Sequence, residues 1–190
     1  MRCVTADLWE ADNAWHFRQL ETKEHAHWLK ALRVWRGLDD KNESLCVLLD
    51  ELLLSWEQNH ETQTLMLYIR GGTRLDCVAR FVTGALDPTL CWVGPFVVAP
   101  HMRNQGLGSF YWNLTRVFIG KSHRAVERLA ITPLDSSKRF WSKHCGFTPL
   151  PAEHNSLGGI IKTLVDVPAA SAFADAPLHG IEVWELNIRK

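Results

Sequence analysis

A chain of 190 residues with 46% hydrophobic and 22% charged side chains can bury one core of its own, and its charge content is that of an ordinary soluble domain. Its 21 basic side chains cancel its 21 acidic ones, which argues against a nucleic-acid binder, whose footprint makes the whole domain basic. No stretch reaches the length of a membrane span: the best, Leu45 to Leu54, is broken by Asp50 and Glu51. The N-terminus lacks the basic-then-apolar run of a secretory signal, so a cytoplasmic chain forming a single domain over 1–190 is expected.

In chain order, Cys3 to Ala6 is a candidate first strand. Beyond it the first sixty residues read as helical, with apolar residues at helical steps over His25 to Trp35 and Ser44 to Trp56 and a polar break between Gly37 and Asn42. His25 and His27 stand two apart and cannot share a helix face, which argues against a metal pair. Thr64 to Ile69 and Asp76 to Thr83, rich in β-branched and aromatic residues, flank Gly71-Gly72 in the pattern of a hairpin. Asp87-Pro88 turns the chain into a strand from Cys91 to Val98. Inside that strand Gly94-Pro95 predicts a bulge or splay, because proline has no N–H for a ladder and glycine weakens one.

The strand ends at Pro100 and the chain re-enters as a glycine-opened helix through Arg103, Asn104, Gln105, Gly106, Leu107, Gly108 and Ser109. The first amides of a helix have no partner inside it and lie at the positive end of its dipole, so this junction can hold an anion. Glycines let a phosphate approach the main chain, and Arg103 can fork onto its oxygens. Leu107, Phe110, Leu114, Val117 and Phe118 then recur at three- and four-residue steps as a buried stripe, up to Gly120-Lys121. Two other phosphate loops are excluded: a Walker loop needs a glycine where Thr115 stands, and the dinucleotide fingerprint needs one at Tyr111.

About thirty residues on, Leu129-Ala130-Ile131 reads as a short buried strand, followed by Asp135-Ser136-Ser137, a helix from Lys138 to Cys145, and Gly146-Phe147. Past a loop at Pro149-Leu150-Pro151, Ile160 to Val167 and Ile181 to Ile188 are the remaining strand candidates, separated by an Ala-rich connection from Pro168 to Gly180. Residues 101–145 hold eight Lys or Arg against Glu127 and Asp135, a local charge of +6 on the proposed anion-holding segment. The five cysteines are scattered, with no C-x-x-C pair, and are expected to be reduced and structural.

The pattern R-x-x-G-x-G, filled by Arg103 to Gly108, resembles the acyl-CoA-binding motif of the GNAT superfamily of N-acetyltransferases, and the strand, Asp135, helix and Gly146-Phe147 keep that family's order and spacing. The resemblance is carried by the core motif region, roughly 64–150. It implies an α/β (α+β) GNAT-like acyl-CoA N-acyltransferase fold, whose mixed central sheet is splayed between its fourth and fifth strands and flanked by helices. It also implies direct transfer of an acetyl group from acetyl-CoA (CoA) to a primary amine of a small molecule or protein. A catalytically silent CoA-binding module of the same fold is the alternative. No membrane, nucleic acid or metal partner is expected, and a homodimer is left open.

For site residues, the resemblance assigns Arg103, Asn104, Gln105, Gly106, Leu107, Gly108 and Ser109 to the pyrophosphate. Phe96, Val97 and Val98 would meet the pantetheine arm and thioester, with a main-chain N–H, taken as that of Val97, facing the carbonyl. Asp135 and Trp141 would line the arm further along. Where many members carry a tyrosine as proton donor this chain has Ser142, a far weaker acid. No carboxylate lies between Cys91 and Pro100, which leaves Asp87, His101, His154, His179, Glu182 and Glu185 as candidates for the general base. Trp28, Trp35 and Trp56 in the helical segment fit either an aromatic-walled acceptor pocket or, at helical spacing, the core, which is the commoner use.

Overall fold

In the computed structural model, the residues described are 2–9, 12–38, 46, 49, 50, 52, 53, 63–84, 87–151 and 182–189. The segment rich in β-branched and aromatic residues around Gly71-Gly72 forms the expected hairpin. Both glycines sit at positive φ, 59° and 70°, a conformation that costs a residue with a Cβ. Eight strands result: β1 (Arg2–Trp9), β2 (Ala14–Gln19), β3 (Gln63–Arg70), β4 (Arg74–Thr83), β5 (Leu90–Val98), β6 (Arg128–Ile131), β7 (Thr148–Pro149) and β8 (Trp184–Asn187). Among the described residues three α-helices are continuous: α1 (His25–Leu38), α2 (Leu107–Ser122) and α3 (Lys138–Cys145).

The strands form one mixed sheet in the order β2-β1-β3-β4-β5-β6-β8-β7. β1 runs parallel to β3, with Cys3 opposite Leu65 and Ala6 opposite Tyr68, and β5 runs parallel to β6. Parallel neighbours require crossovers, and α2 supplies the one between β5 and β6. Strand β2 corrects the expectation of an all-helical first sixty residues. It pairs antiparallel with β1, Trp9 opposite Ala14 and Val4 opposite Gln19, after a turn in which Asn13 takes φ 51°. The parallel pairing of β5 with β6 covers Leu90, Cys91 and Trp92, the residues of β5 that precede Gly94-Pro95.

Ser44 to Trp56 lies largely outside the described residues, although Cys46, Leu49, Asp50, Leu52 and Leu53 are helical. Ile160 to Val167, the 168–180 connection and Trp56 lie outside them too. Among the described residues no helix is long and apolar enough to cross a membrane.

The chain divides into two compact units, residues 1–81 with 95–115 and residues 82–94 with 116–190, so β4, β5 and α2 each contribute to both. In the first unit α1 buries Trp28, Leu32 and Trp35 in a cluster with Leu65, Leu67, Ile69, Val78, Val97, Ala99 and Met102. Trp28 and Trp35 are therefore core residues. The buried face of α2 is Tyr111, Trp112, Thr115, Phe118 and Ile119, whereas Phe110 and Val117 are 43% and 48% exposed. The helix is thus rotated by about one residue from its apolar stripe, because Tyr111 and Thr115 carry hydroxyls that find partners beneath it. All five cysteines are buried thiols outside any disulfide, and burial pushes the thiol of Cys3 up to about 11 and those of Cys91 and Cys145 up to about 12, which keeps these three protonated and unreactive.

Candidate functional site

The site is built around the junction between β5 and α2, which lies in the first unit. Val98 ends the strand, Pro100 to Met102 make one 3₁₀ turn, and α2 begins at Leu107. The turn's own bonds run from Met102 N–H to Ala99 O at 2.9 Å and from Arg103 N–H to Pro100 O at 3.5 Å. Beyond that point, among the described residues, no protein oxygen accepts from the main-chain nitrogens of Asn104, Gln105, Gly106, Leu107 or Gly108. Asn104 and Gly106 both adopt left-handed φ, 61° and 74°, and alternation of backbone hand of this kind curls successive N–H groups around a concavity suited to an anion. A Cβ placed on Gly106 would meet no atom within 4 Å, so the concavity is open on that side. A phosphate fits this donor set: five main-chain N–H groups, a helix dipole, and no acidic side chain between residues 88 and 126.

Arg103 does not simply reach outward. Its Nε donates to Val98 O at 3.0 Å, which ties the turn to the last residue of β5. Gln105 likewise donates its side-chain amide to His101 O at 2.9 Å, bracing the turn from within.

The strand feeding the turn carries the irregularity that Gly94-Pro95 predicts. Gly84 N–H donates to Leu90 O at 3.0 Å and Ala99 N–H donates to Asp76 O at 2.9 Å. Between those two bonds residues 77–83 of one strand face residues 91–98 of the other, so β5 holds one residue more, the definition of a bulge. On its other side β5 is paired with β6 through Leu90, Cys91 and Trp92. Successive residues of a strand turn their N–H groups to opposite edges, so the bond from Ala99 to Asp76 fixes the pattern. Ala99 N–H thus lies on the β4 edge, and the preceding carbonyl, Val98 O, is taken by Arg103. The Val97 side chain is buried in the core. The Phe96 ring stands edge-on to Trp112 at 6.2 Å.

The second unit places the other candidates. Asp135 opens a 3₁₀ turn before α3, its side chain 94% exposed and paired with Lys138 Nζ at 2.8 Å, and that amine holds its carboxyl below the usual carboxylate range. Trp141 is buried in the core, edge-on to Phe147 at 5.5 Å. The Ser142 hydroxyl donates back to its own helix, to Lys138 O at 3.0 Å, which leaves it no proton free for a leaving group in this arrangement. Of the general-base candidates, Asp87 accepts from Thr89 and, at 2.6 Å, from Arg128, which also binds Glu185. Glu182 is held by Lys138 and Trp184 Nε1. His101 is exposed, and His154 and His179 lie outside the described residues. Among the described residues no group of three His, Cys, Asp or Glu could hold a metal.

One cluster escaped the sequence pattern. Asp76, 1% exposed in its side chain, accepts from Arg70 Nε and Arg74 Nε, both at 2.8 Å, and from Tyr111 OH at 2.9 Å. Burial pushes the Tyr111 hydroxyl up to about 12, so it stays protonated and donates. One turn further along α2, Thr115 bonds both Tyr68 OH and Tyr111 O. The only sequence signal for it was Tyr111 itself, standing where a dinucleotide loop has glycine.

No protein-family model matches this sequence, and no curated protein matches it. Solved structures do. GCN5 from Tetrahymena superposes with a TM-score of 0.57 at 15% identity, over 84% of this chain and 88% of its own. A GNAT-family acetyltransferase from Staphylococcus aureus Mu50 gives 0.56 at 16%, over 90% of this chain and 96% of its own. N-acetylglutamate synthase from Neisseria gonorrhoeae, solved with coenzyme A and N-acetylglutamate, gives 0.52 at 15%, over 91% of this chain but 35% of its own. With its mixed sheet, its bulged fifth strand and its glycine-opened helix, the chain has the fold of the GNAT-superfamily N-acetyltransferases.

Proposed function

We propose that the protein is an N-acetyltransferase that moves an acetyl group from acetyl-CoA directly to a primary amine of a small molecule or protein, in the cytoplasm. The observation that carries this reading is the set of main-chain nitrogens from Asn104 to Gly108 with no protein acceptor, at the head of a sixteen-residue helix. Those nitrogens would bind the pyrophosphate, Gly106 and Gly108 would admit it, and Arg103 would hold the turn against Val98 while adding positive charge. Acetyl-CoA, when bound, supplies the activated acyl group. A main-chain N–H of β5 at Phe96, Val97 or Val98 would donate to the thioester carbonyl, a preorganised role that contributes on the order of 3 kcal/mol in acyl transfer.

A second reading, a CoA-binding module without turnover, is favoured by two observations: the Ser142 hydroxyl is bonded to its own helix, and β5 carries no ionisable side chain but Cys91, which burial keeps neutral. Calorimetric titration with CoA tests what the two readings share. Wild type should bind, and the double variant Arg103→Glu, Gly108→Trp should not. Equal affinity for both proteins would remove the assignment. Release of CoA from acetyl-CoA across a panel of amines then separates the readings, since tight binding with no turnover on any amine would favour the silent module.

A further inference from the structure

We infer that Asp76 is a positioning residue that clamps the anion-binding turn at both of its ends, an assignment that rests on the proposed CoA reading but extends it to a residue outside the cradle. Its main-chain oxygen accepts from Ala99 N–H at 2.9 Å, at the point where β5 gives way to the turn. Its carboxylate accepts from Tyr111 OH at 2.9 Å, one helical turn into α2. Residues 100–110, which contain every nitrogen of the cradle, therefore leave from and return to a single residue of β4. A loop whose ends are pinned to one point samples far fewer conformations, and here the pinned form is the one whose N–H groups converge.

The clamp is rigid because Asp76 is itself held from two further directions, by Arg70 Nε and Arg74 Nε at 2.8 Å. These two guanidiniums also answer an electrostatic objection. A buried carboxylate beneath an anion site would repel its ligand, but two positive charges on one negative leave the cluster net positive. Arg70 reaches Tyr111 OH as well, at 3.5 Å, so the same cation steadies both the carboxylate and the phenol. Tyr111 is fixed from its other side by ring contacts to Tyr68, with centroids 5.1 Å apart, and to Trp15 at 6.2 Å.

Charge and position predict opposite signs for Asp76→Asn. If the carboxylate acted only through its charge, removing it would free two arginines and tighten CoA binding. If it positions the turn, binding weakens. Tyr111→Phe isolates the second effect, because it keeps the ring and every formal charge while cutting the tie to α2.

The experiment measures affinities of wild type, Asp76→Asn and Tyr111→Phe for CoA and for pantetheine, which lacks the diphosphate. It adds amide heteronuclear NOE values at Gly106 and Gly108 in the ligand-free proteins. Expected are about a tenfold loss of CoA affinity in both variants, unchanged pantetheine affinity, and lower NOE values at both glycines. Tighter CoA binding by Asp76→Asn, equal losses for CoA and pantetheine, or unchanged NOE values would each overturn the clamp. Should Asp76→Asn not fold, Tyr111→Phe decides alone. Wild type that fails to bind CoA while both variants still lose order at the glycines would retire the CoA reading and leave the clamp standing.

Discussion

The chain passes twice from a parallel strand through a 3₁₀ turn into a helix, once from β5 to α2 and once from β6 to α3, and the two junctions use their polar groups in opposite ways. At the first, bonds within the turn stop at Arg103 and the next five nitrogens have no protein acceptor among the described residues. At the second, Ser137 N–H and Oγ both donate to Leu134 O, at 2.8 and 2.9 Å, Asp135 pairs with Lys138, and Ser142 donates to Lys138 O. Gly146 closes α3 in a left-handed conformation at φ 81°, and Phe147 N–H returns to Trp141 O. A junction whose turn donors, the N–H groups of Ser137 and Lys138 and the Ser137 hydroxyl, are bonded within the turn stabilises the fold. One whose donors are left over, and whose shape is enforced from below by Asp76, is prepared for a ligand.

The sharpest way to break this comparison is Trp141→Ala. If Trp141 belongs to the core of the second unit, its loss should cost about 3–5 kcal/mol in urea denaturation while the folded protein binds CoA within about twofold of wild type. A loss of CoA affinity with stability intact would make Trp141 a ligand contact and the second junction a binding element after all.

Gly106→Val should have the next largest effect, from the other side of the comparison. The position lies at φ 74°, where a β-branched residue is strained, but its surroundings are open, so the penalty falls on the shape of the turn rather than on packing. CoA affinity should fall by about thirtyfold, with a melting temperature lowered by no more than about 5 °C. Unchanged affinity would mean that the left-handed turn is not what holds the diphosphate.

How far the sequence carried these conclusions depended on whether each signal was local. The cradle was legible because Arg103 to Ser109 are contiguous, and a proline, two glycines and a helix start carry their geometry in the chain itself. The hairpin at Gly71-Gly72 and a bulge in the strand that contains Gly94-Pro95 were legible for the same reason. Strand β2 was not, because its Trp15 and Phe17 alternate for only a few residues, and pairing with β1 rather than intrinsic preference makes them extended. The rotation of α2 was hidden because Tyr111 and Thr115 count as polar in a periodicity, although each is fully buried on a partner hydroxyl or carboxylate. The Asp76 cluster was invisible for a deeper reason: it joins residues 70, 74, 76, 99 and 111, and nothing in any one segment announces the others. The bond of Ser142 was hidden too, because position along a motif does not reveal that a helical serine donates its hydroxyl to the preceding turn.

Ser142→Ala tests that last point with a smaller expected effect. The hydroxyl is engaged with Lys138 O at 3.0 Å and the side chain is exposed, so removing it should leave kcat/KM within about twofold on any amine that proves to be a substrate. A loss of a hundredfold in kcat with KM unchanged would restore it as the proton donor and show that the helix releases it during turnover.

The smallest effect belongs to Asp135, the residue whose place in the motif most strongly suggests a functional role. Its side chain is 94% exposed and its visible partner is Lys138, which also pairs with Glu182 at 3.0 Å. An ion pair so open to solvent contributes little to folding, so Asp135→Asn should move the melting temperature by less than about 1 °C. The sign of its pH dependence follows from the amine beside it: the carboxyl titrates below its usual range in the folded chain, so what stabilisation the pair gives is present above the ordinary carboxylate range and fades as pH falls through the lowered value. Carbon-detected titration of the Asp135 carboxyl, repeated in Lys138→Met, should show its midpoint rising toward the ordinary value once the amine is gone. CoA affinity should stay within about twofold throughout. A tenfold loss on Asp135→Asn would put this carboxylate in contact with the ligand, and the two junctions would then share the work of binding rather than divide it.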